Sequence, residues 1–472
     1  MQNIKMLAKK YLSYLPLVFC FIWTYLNIYF LPFYPWTCGL VRPWFILKGL
    51  VPYRDFVWIR MPADLFILTG WYRLFGVTPQ AYQLFICTLF LLIPILIFII
   101  SKRFWNKYGS FPIWFFTLFI FPLFINTEVG EVLIGFFILI LYYLLLSYNV
   151  NRQRKYLFLS GLISGVLFLT KQTTIFAISG AFLWLIWILK KNNHQLKSHL
   201  GIYLIGILLP LLLTIAYFVY YRALTDFFYY TITFILTSYT RAPHPGGDGM
   251  WMGLGFILLI VTYVTSVIKK EKIRSEMILT LCLPILLISM LLPSYLSYRA
   301  FPMFPMVSFI GGFTLWGIIN DKKNRLIYVV AILLFFIGIY RYVPQYISFV
   351  ANNRFMKNQL LTDYTETEYE ISRLVKQNSQ PTDKILIFAN DIIYLFTDRL
   401  PATKYIDPFP YLLYPFEQSS KEVLENPPKL FMFDKTLSEY HHDLEDWPFL
   451  LAVPKLYHLI KKVDTVSIYK LR

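Results

Sequence analysis

Several ionisable residues in this chain lie where an apolar protein has little ordinary use for them. Asp55 sits in "PYRDFVW" between Arg54 and rings, Arg60 follows it, and Asp64 opens the apolar run "PADLFILTGWYRLFG". Glu128 and Glu131 share "NTEVGEVL", Lys171 stands alone in "SGLISGVLFLTKQTTIFAIS", and Arg299 lies in "SYLSYRAFPMFP". Charge within or beside an apolar run is costly, so each is a functional candidate. Their types suit one chemistry. A carboxylate such as Asp55 accepts a proton from an attacking hydroxyl. Arg60, Lys171 and Arg299, cations from separate segments, hold a phosphate and stabilise it as it departs. That combination points to acid–base chemistry on a lipid phosphate ester. Each residue also has a blander explanation. Lys171 would snorkel from a tight bend. Glu128 and Glu131 would complement a helix dipole. Asp55 would pair with Arg54 or Arg60.

The elements that must position these groups are membrane helices. The chain has 472 residues, 57% hydrophobic, 19% aromatic and only 15% charged, with mean hydropathy +0.56. That composition excludes an ordinary soluble protein and fits a polytopic membrane protein. About eleven runs approach the ~20 apolar residues a span needs: 12–33, 81–100, 111–126, 131–148, 156–172, 174–189, 201–221, 251–268, 277–293, 301–319 and 326–343. Lys and Arg cluster in alternate connections, at Lys5/Lys9/Lys10, Lys102/Arg103/Lys107, Arg152/Arg154/Lys155, Lys190/Lys191/Lys197, Lys269/Lys270/Lys272/Arg274 and Lys322/Lys323/Arg325. The positive-inside rule makes these cytoplasmic, with the N-terminus inside and the C-terminal segment outside. The net charge of +18 is therefore read as topology and membrane-lipid contact, with no nucleic-acid partner. The first span lacks a cleavage pattern and is read as retained.

The outer connections are then 34–80, 126–131, a bend near 172–174, 222–250 and 294–300. Segment 62–76 is too short to span and reads as an interfacial helix. The aromatic stretch from 222 reads similarly. From about 344 the patterns become those of a small α/β domain. "KILIFAN", "ATKYID" and "KLFMFD" read as strands, "DIIYLFTDR" and "KEVLENPP" as helical, and "YHLIKKVDTVSIYKL" as a closing hairpin. The domains expected are 1–343, a membrane domain whose first outer loop is 34–80, and 344–472, extracytoplasmic. With no Gly-rich phosphate loop, the latter is not a nucleotide-binding domain. Four Cys and six His show no ligand spacing, so no metal site and no cofactor are expected. No internal repeat of the transporter kind is visible.

These parts, in this order, resemble the GT-C membrane glycosyltransferases, in particular glycosyltransferase family 39, the protein O-mannosyltransferase and aminoarabinose lipid A transferase group with its bacterial cousins. The resemblance rests on "KGLVPYRDFVWIRMP", "GLISGVLFLTKQT", "YRAFPMFPMVSFIGG", and the "PTDKILIFAN", "RLPATKY", "NPPKLFMFD" and "DTVSIYKLR" segments. It implies transfer of a sugar, with inversion, from a polyprenyl-phosphate donor to an acceptor hydroxyl at the outer face of the cytoplasmic membrane. The acceptor would be a glycan, a lipid or a protein. It implies Arg60, Lys171 and Arg299 for the donor phosphate, Asp55 as general base, and Glu128, Glu131 and Asp64 for placing acceptor and sugar. One departure stands out. Relatives carry an acid just after the first span, whereas residues 30–45, "FLPFYPWTCGLVRPWF", hold none. Either Asp55 takes over that role, or the Glu128/Glu131 segment does, or activity is lost. An inactive scaffold of this fold and a lipid-linked sugar transporter or flippase are the competing readings.

Overall fold

The computed structural model describes residues 14–30, 37–105, 110–117, 128–192, 195–237, 256–257, 259–261, 263–264, 275–291, 297–323, 325–340, 366–406, 416–437 and 447–472. The chain forms two compact units. One comprises Met1–Phe33, Leu84–Thr214 and His244–Gln359, the other Tyr34–Gln83, Ile215–Pro243 and Leu360–Arg472. Both are discontinuous in sequence. The second holds the part of the expected α/β domain from residue 360 onward together with 34–83 and 215–243.

Among the described residues, five helices are long and apolar enough to cross a bilayer: Pro79–Phe104, Val129–Asn151, Gln172–Lys191, Leu196–Tyr220 and Phe301–Asn320. Lys102 and Arg103 close the first of these and Lys190 and Lys191 the third, where cations complement the helix C-terminus. Leu15–Phe30, Arg154–Thr170, Ser275–Leu287 and Arg325–Tyr340 are shorter apolar helices. Most of the runs expected at 111–126 and 251–268 lies outside the described residues. Small residues let helices meet closely. A Cβ on Gly161 would come within 2.0 Å of the Tyr203 carbonyl oxygen, and Ser164 Oγ bonds Tyr203 Oη at 2.7 Å beside it. The two backbones therefore touch at the small-residue repeat that precedes Lys171.

The second unit is built on a four-stranded sheet: β1 (Ile385–Phe388), β2 (Leu430–Asp434), β3 (Tyr457–Val463) and β4 (Val466–Leu471). The order is β1-β2-β4-β3, with β1 parallel to β2 and the remaining pairs antiparallel. β3 and β4 form the expected hairpin, turning at Asp464 with φ 53°. β1 is buried along its length although it lies at the sheet edge. The reason is backbone cover: Ile385 N–H bonds the Leu400 carbonyl (3.1 Å) and Ala402 N–H the Ile385 carbonyl (2.9 Å). Covering an edge in this way blocks further pairing. "ATKYID", expected as a strand, is thus a correction. The single bridge, Ile385 to Pro401, falls just before it, and 402–406 bend without forming a ladder. Pro401 has no N–H with which to extend a ladder.

A short helix, Cys38–Leu47, docks on the Ile392–Thr397 helix. The contact is an apolar centre between two ion pairs. Phe45 meets the Tyr394 ring edge-on at 5.5 Å. Arg42 Nη1 pairs with Asp391, and Lys48 Nζ with Asp398 at 2.7 Å. Arg42 is 3% and Asp391 11% exposed, so neither charge is replaceable by water. Removing one partner of such a pair costs about 3–5 kcal/mol. Asp391→Ala is accordingly expected to lower the melting temperature of the detergent-solubilised chain markedly, and Lys48→Ala, at an exposed pair, hardly at all. Equal melting temperatures for native and Asp391→Ala chains would contradict this.

Candidate functional site

The candidate residues fall in both units, and each group is built differently. In the first unit, the Val129–Asn151 helix begins after Glu128, whose backbone is extended (φ −63°, ψ 139°) and whose side chain makes no cap bond. Glu131 lies in the first turn and is fully buried. Its Oε1 accepts a hydrogen bond from Lys171 Nζ at 2.6 Å. Its Oε2 has no partner among the described residues. Lys171 reaches Glu131 from a break in the chain. Its extended backbone (φ −158°, ψ 133°) ends the Arg154–Thr170 helix, and a 3₁₀ turn, Gln172–Thr174, follows at the expected bend. The Lys171 carbonyl accepts from Thr174 N (3.1 Å) and Oγ1 (2.8 Å), which fixes the turn.

Arg299, 7% exposed, lies in the 3₁₀ segment Ser297–Met303. That segment packs on the same helix start, because its Phe301 abuts Gly135 (a Cβ there would meet it at 3.2 Å), as does Pro305 of the following helix (3.3 Å). The turn after Lys171 packs against Ile288–Leu291, where Ser289 Oγ bonds the Thr173 carbonyl at 3.4 Å. Ile288–Leu291 in turn packs on Ser297–Met303. The elements carrying Glu131, Lys171 and Arg299 therefore gather at one end of the first unit.

In the second unit, Asp55 anchors a tight turn. Its Oδ2 accepts from Val51 N–H (2.8 Å), while Arg54 clasps both oxygens through Nε (2.8 Å) and Nη2 (2.7 Å). The sequence left Arg54 and Arg60 as alternative partners, and the contact is with Arg54. Partial burial works to raise the Asp55 pKa. The Arg54 and Val51 hydrogen bonds and the Arg54 and Lys384 charges outweigh it, so the pKa is lowered. Arg54 also donates to the Tyr221 carbonyl at 2.8 Å. The turn holds Tyr53 at φ 70°, a region costly for a non-glycine residue. Tyr53 is fully buried, with its ring edge-on to Phe218 and Phe227. Its hydroxyl donates to the Arg60 carbonyl at 2.7 Å, tying Arg60 to the turn. Burial, and then the Asp64 charge, push the Tyr53 pKa well up. Asp64 is itself buried in the first turn of Ala63–Phe75, where its Oδ1 accepts from Leu65 N–H at 2.8 Å.

Sequence reasoning missed three residues that fix this unit. Arg42 was passed over although it lies in a run that is otherwise apolar, which was its signal. Tyr53 carries the strained turn. Lys404 secures the loop: its carbonyl accepts from Val57 N–H (2.9 Å) and its Nζ lies 3.9 Å from Asp226. Among the described residues, no three His, Cys, Asp or Glu cluster as a metal site would need.

Residues 60–240 match the family model described as dolichyl-phosphate-mannose-protein mannosyltransferase. A crystal structure of ArnT from Cupriavidus metallidurans bound to undecaprenyl phosphate superposes with TM-score 0.58 at 10% identity, covering 96% of this chain and 97% of that one. The apo form of the same protein gives 0.60 at 11%, covering 98% of each. The chain has the fold of the GT-C membrane glycosyltransferases. No curated protein matches it in sequence. At such low identity the GT-C likeness speaks for architecture, and the side chains above must carry the chemistry.

The lowered Asp55 pKa gives a signed expectation. Its contribution to stability is complete above the ordinary carboxylate value of about 3.9 and is lost as pH falls through the lower folded value. The melting-temperature gap between native and Asp55→Asn chains should hold steady from about pH 7 to 5 and narrow as pH falls below about 3.9 toward the lower folded value. A gap independent of pH would show that the Asp55 charge does not stabilise the turn.

Proposed function

We propose that this chain transfers a sugar from a polyprenyl-phosphate donor to an acceptor hydroxyl at the outer face of the cytoplasmic membrane, with inversion. In the reaction the acceptor oxygen attacks the anomeric carbon, and the bond from that carbon to the phosphate oxygen breaks. The polyprenyl phosphate leaves with the electron pair, and the acceptor proton passes to a carboxylate. The leaving phosphate gains negative charge, so cations act most strongly in the transition state.

Roles are assigned residue by residue. Lys171 and Arg299 bind donor phosphate, with Arg60 assigned to the same ligand. Asp55 is the base: it is partly exposed, and its lowered pKa keeps it ionised. Glycosyl transfer passes through an oxocarbenium-like state. The proton then leaves late, and a weak base suffices. Glu128, Glu131 and Asp64 are assigned to placing acceptor and sugar. The observation that carries this reading is the buried Glu131–Lys171 pair packed beside the Arg299 segment. A buried cation held by a carboxylate can exchange that partner for a phosphate. The family-model match, and the undecaprenyl phosphate bound to the similar ArnT structure, support a lipid-linked donor.

The test is transfer of radiolabel from a panel of polyprenyl-phosphate sugars to acceptors in cognate membranes. Asp55→Asn should lower kcat about 10²–10⁴-fold, and Lys171→Gln or Arg299→Gln about 10²–10³-fold. Unchanged turnover in Asp55→Asn removes Asp55 from the mechanism. Absence of turnover with every donor would favour an inactive scaffold.

A further inference from the structure

One face of the α/β region sets a stacked aromatic pair beside a buried hydroxyl and two cations. The Glu366–Asn378 helix presents Tyr369, Ser372, Arg373, Lys376 and Gln377, which with Phe396 of the neighbouring helix line a cavity of about 450 Å³. Their spacing of three and four residues puts them on one side of the helix. Tyr369 is 57% exposed, yet its ring is held in a stack on Phe396, with centroids 4.9 Å apart and planes at 10°. The stack fixes the plane of an outward aromatic face. Ser372 is 5% exposed, and its Oγ has no hydrogen-bond partner among the described residues. An unsatisfied buried hydroxyl destabilises a fold by about 1–3 kcal/mol, and turning the Ser372 side chain toward the cavity it lines gives it a ligand atom as partner. Arg373 and Lys376 are exposed, and neither is in an ion pair with a described residue. Glu370, the nearby acid, is taken by Lys461 at 2.6 Å.

A fixed aromatic face, an orphan hydroxyl, an amide and two cations outside any ion pair with a described residue ask for a ligand with matching parts. It needs C–H groups on one face to lie on the ring's negative surface, hydroxyls for Ser372 and Gln377, and one negative group for Arg373 and Lys376. We propose that this cavity binds a sugar ring carrying one anionic substituent, a phosphate or a carboxylate. A lipid surface would meet a convex stripe; the concavity and the buried hydroxyl favour a discrete molecule. The inference stands on this helix pair alone and does not rest on the transfer reading.

The experiment is saturation-transfer-difference NMR on the full chain in detergent, with glucose 6-phosphate, glucuronate, glucose and glycerol 3-phosphate as probes. Ring-proton signals are expected from glucose 6-phosphate, glucuronate or both, and which of them responds identifies the anionic group. Glucose and glycerol 3-phosphate should be about fivefold weaker or more. Loss of a charge-assisted contact corresponds to about tenfold in affinity. Arg373→Gln with Lys376→Gln should therefore lose about tenfold, Tyr369→Ala similarly, and Tyr369→Phe little. Ser372→Ala, which removes an unsatisfied group, should fold at least as stably while binding more weakly. Glucose signals equal to those of the charged sugars would overturn the proposal. Equal signals from glycerol 3-phosphate, meaning a phosphate or headgroup site, would do so too. So would binding unchanged in all three of Tyr369→Ala, Ser372→Ala and the double cation variant.

Discussion

A buried ion pair between Arg42 and Asp391 ties the loop region before residue 83 to the α/β part of the second unit. Two charges taken out of water are tolerated only when each finds the other in good alignment. That requirement fixes the register of Cys38–Leu47 on Ile392–Thr397 more strictly than apolar contact could, since Phe45 and Tyr394 would tolerate sliding. The Lys48–Asp398 pair marks the far end of the same alignment. With the register set, the following loop meets Lys404 and the turn at Asp55 closes on Val51. The position of Arg60 is then inherited through the Tyr53 hydroxyl. A surface-looking loop is thus positioned by a charge pair that is largely buried.

The first unit applies the same rule to a different end. Glu131 and Lys171 neutralise each other inside an apolar bundle, which accounts for how a lysine survives in that run. The pairing also explains the interruption in the chain. A continuous helix through 171 would carry the ammonium along with its turn, whereas the extended residue and 3₁₀ turn hold it against the start of Val129–Asn151. The expected bend is present, and from it the ammonium turns inward to Glu131 instead of snorkelling.

The fold was legible wherever short-range pattern decides it. The apolar run of β1, the "KLFMFD" strand, the closing hairpin and the helix ending at Gly76, with φ 79°, all follow from local composition and turn chemistry. "ATKYID" was misread because a segment that caps a strand edge has the same composition as a strand. The site was legible as a set of suspicious residues but not as a set of contacts. Local sequence cannot say whether Asp55 takes Arg54 or Arg60, and nothing near Arg42 announces Asp391.

The sequence distance across that last pair has a further consequence. Arg42 and Asp391 are separated by 349 residues. At synthesis rates of about 5–20 residues per second, that separation leaves Arg42 without its partner for roughly 17–70 s. The loop bearing Asp55 and Arg60 therefore acquires its final shape only after nearly the entire chain has been made. Its assembly is a late event, and a chain cut short before Asp391 would lack the ion pair that sets this loop.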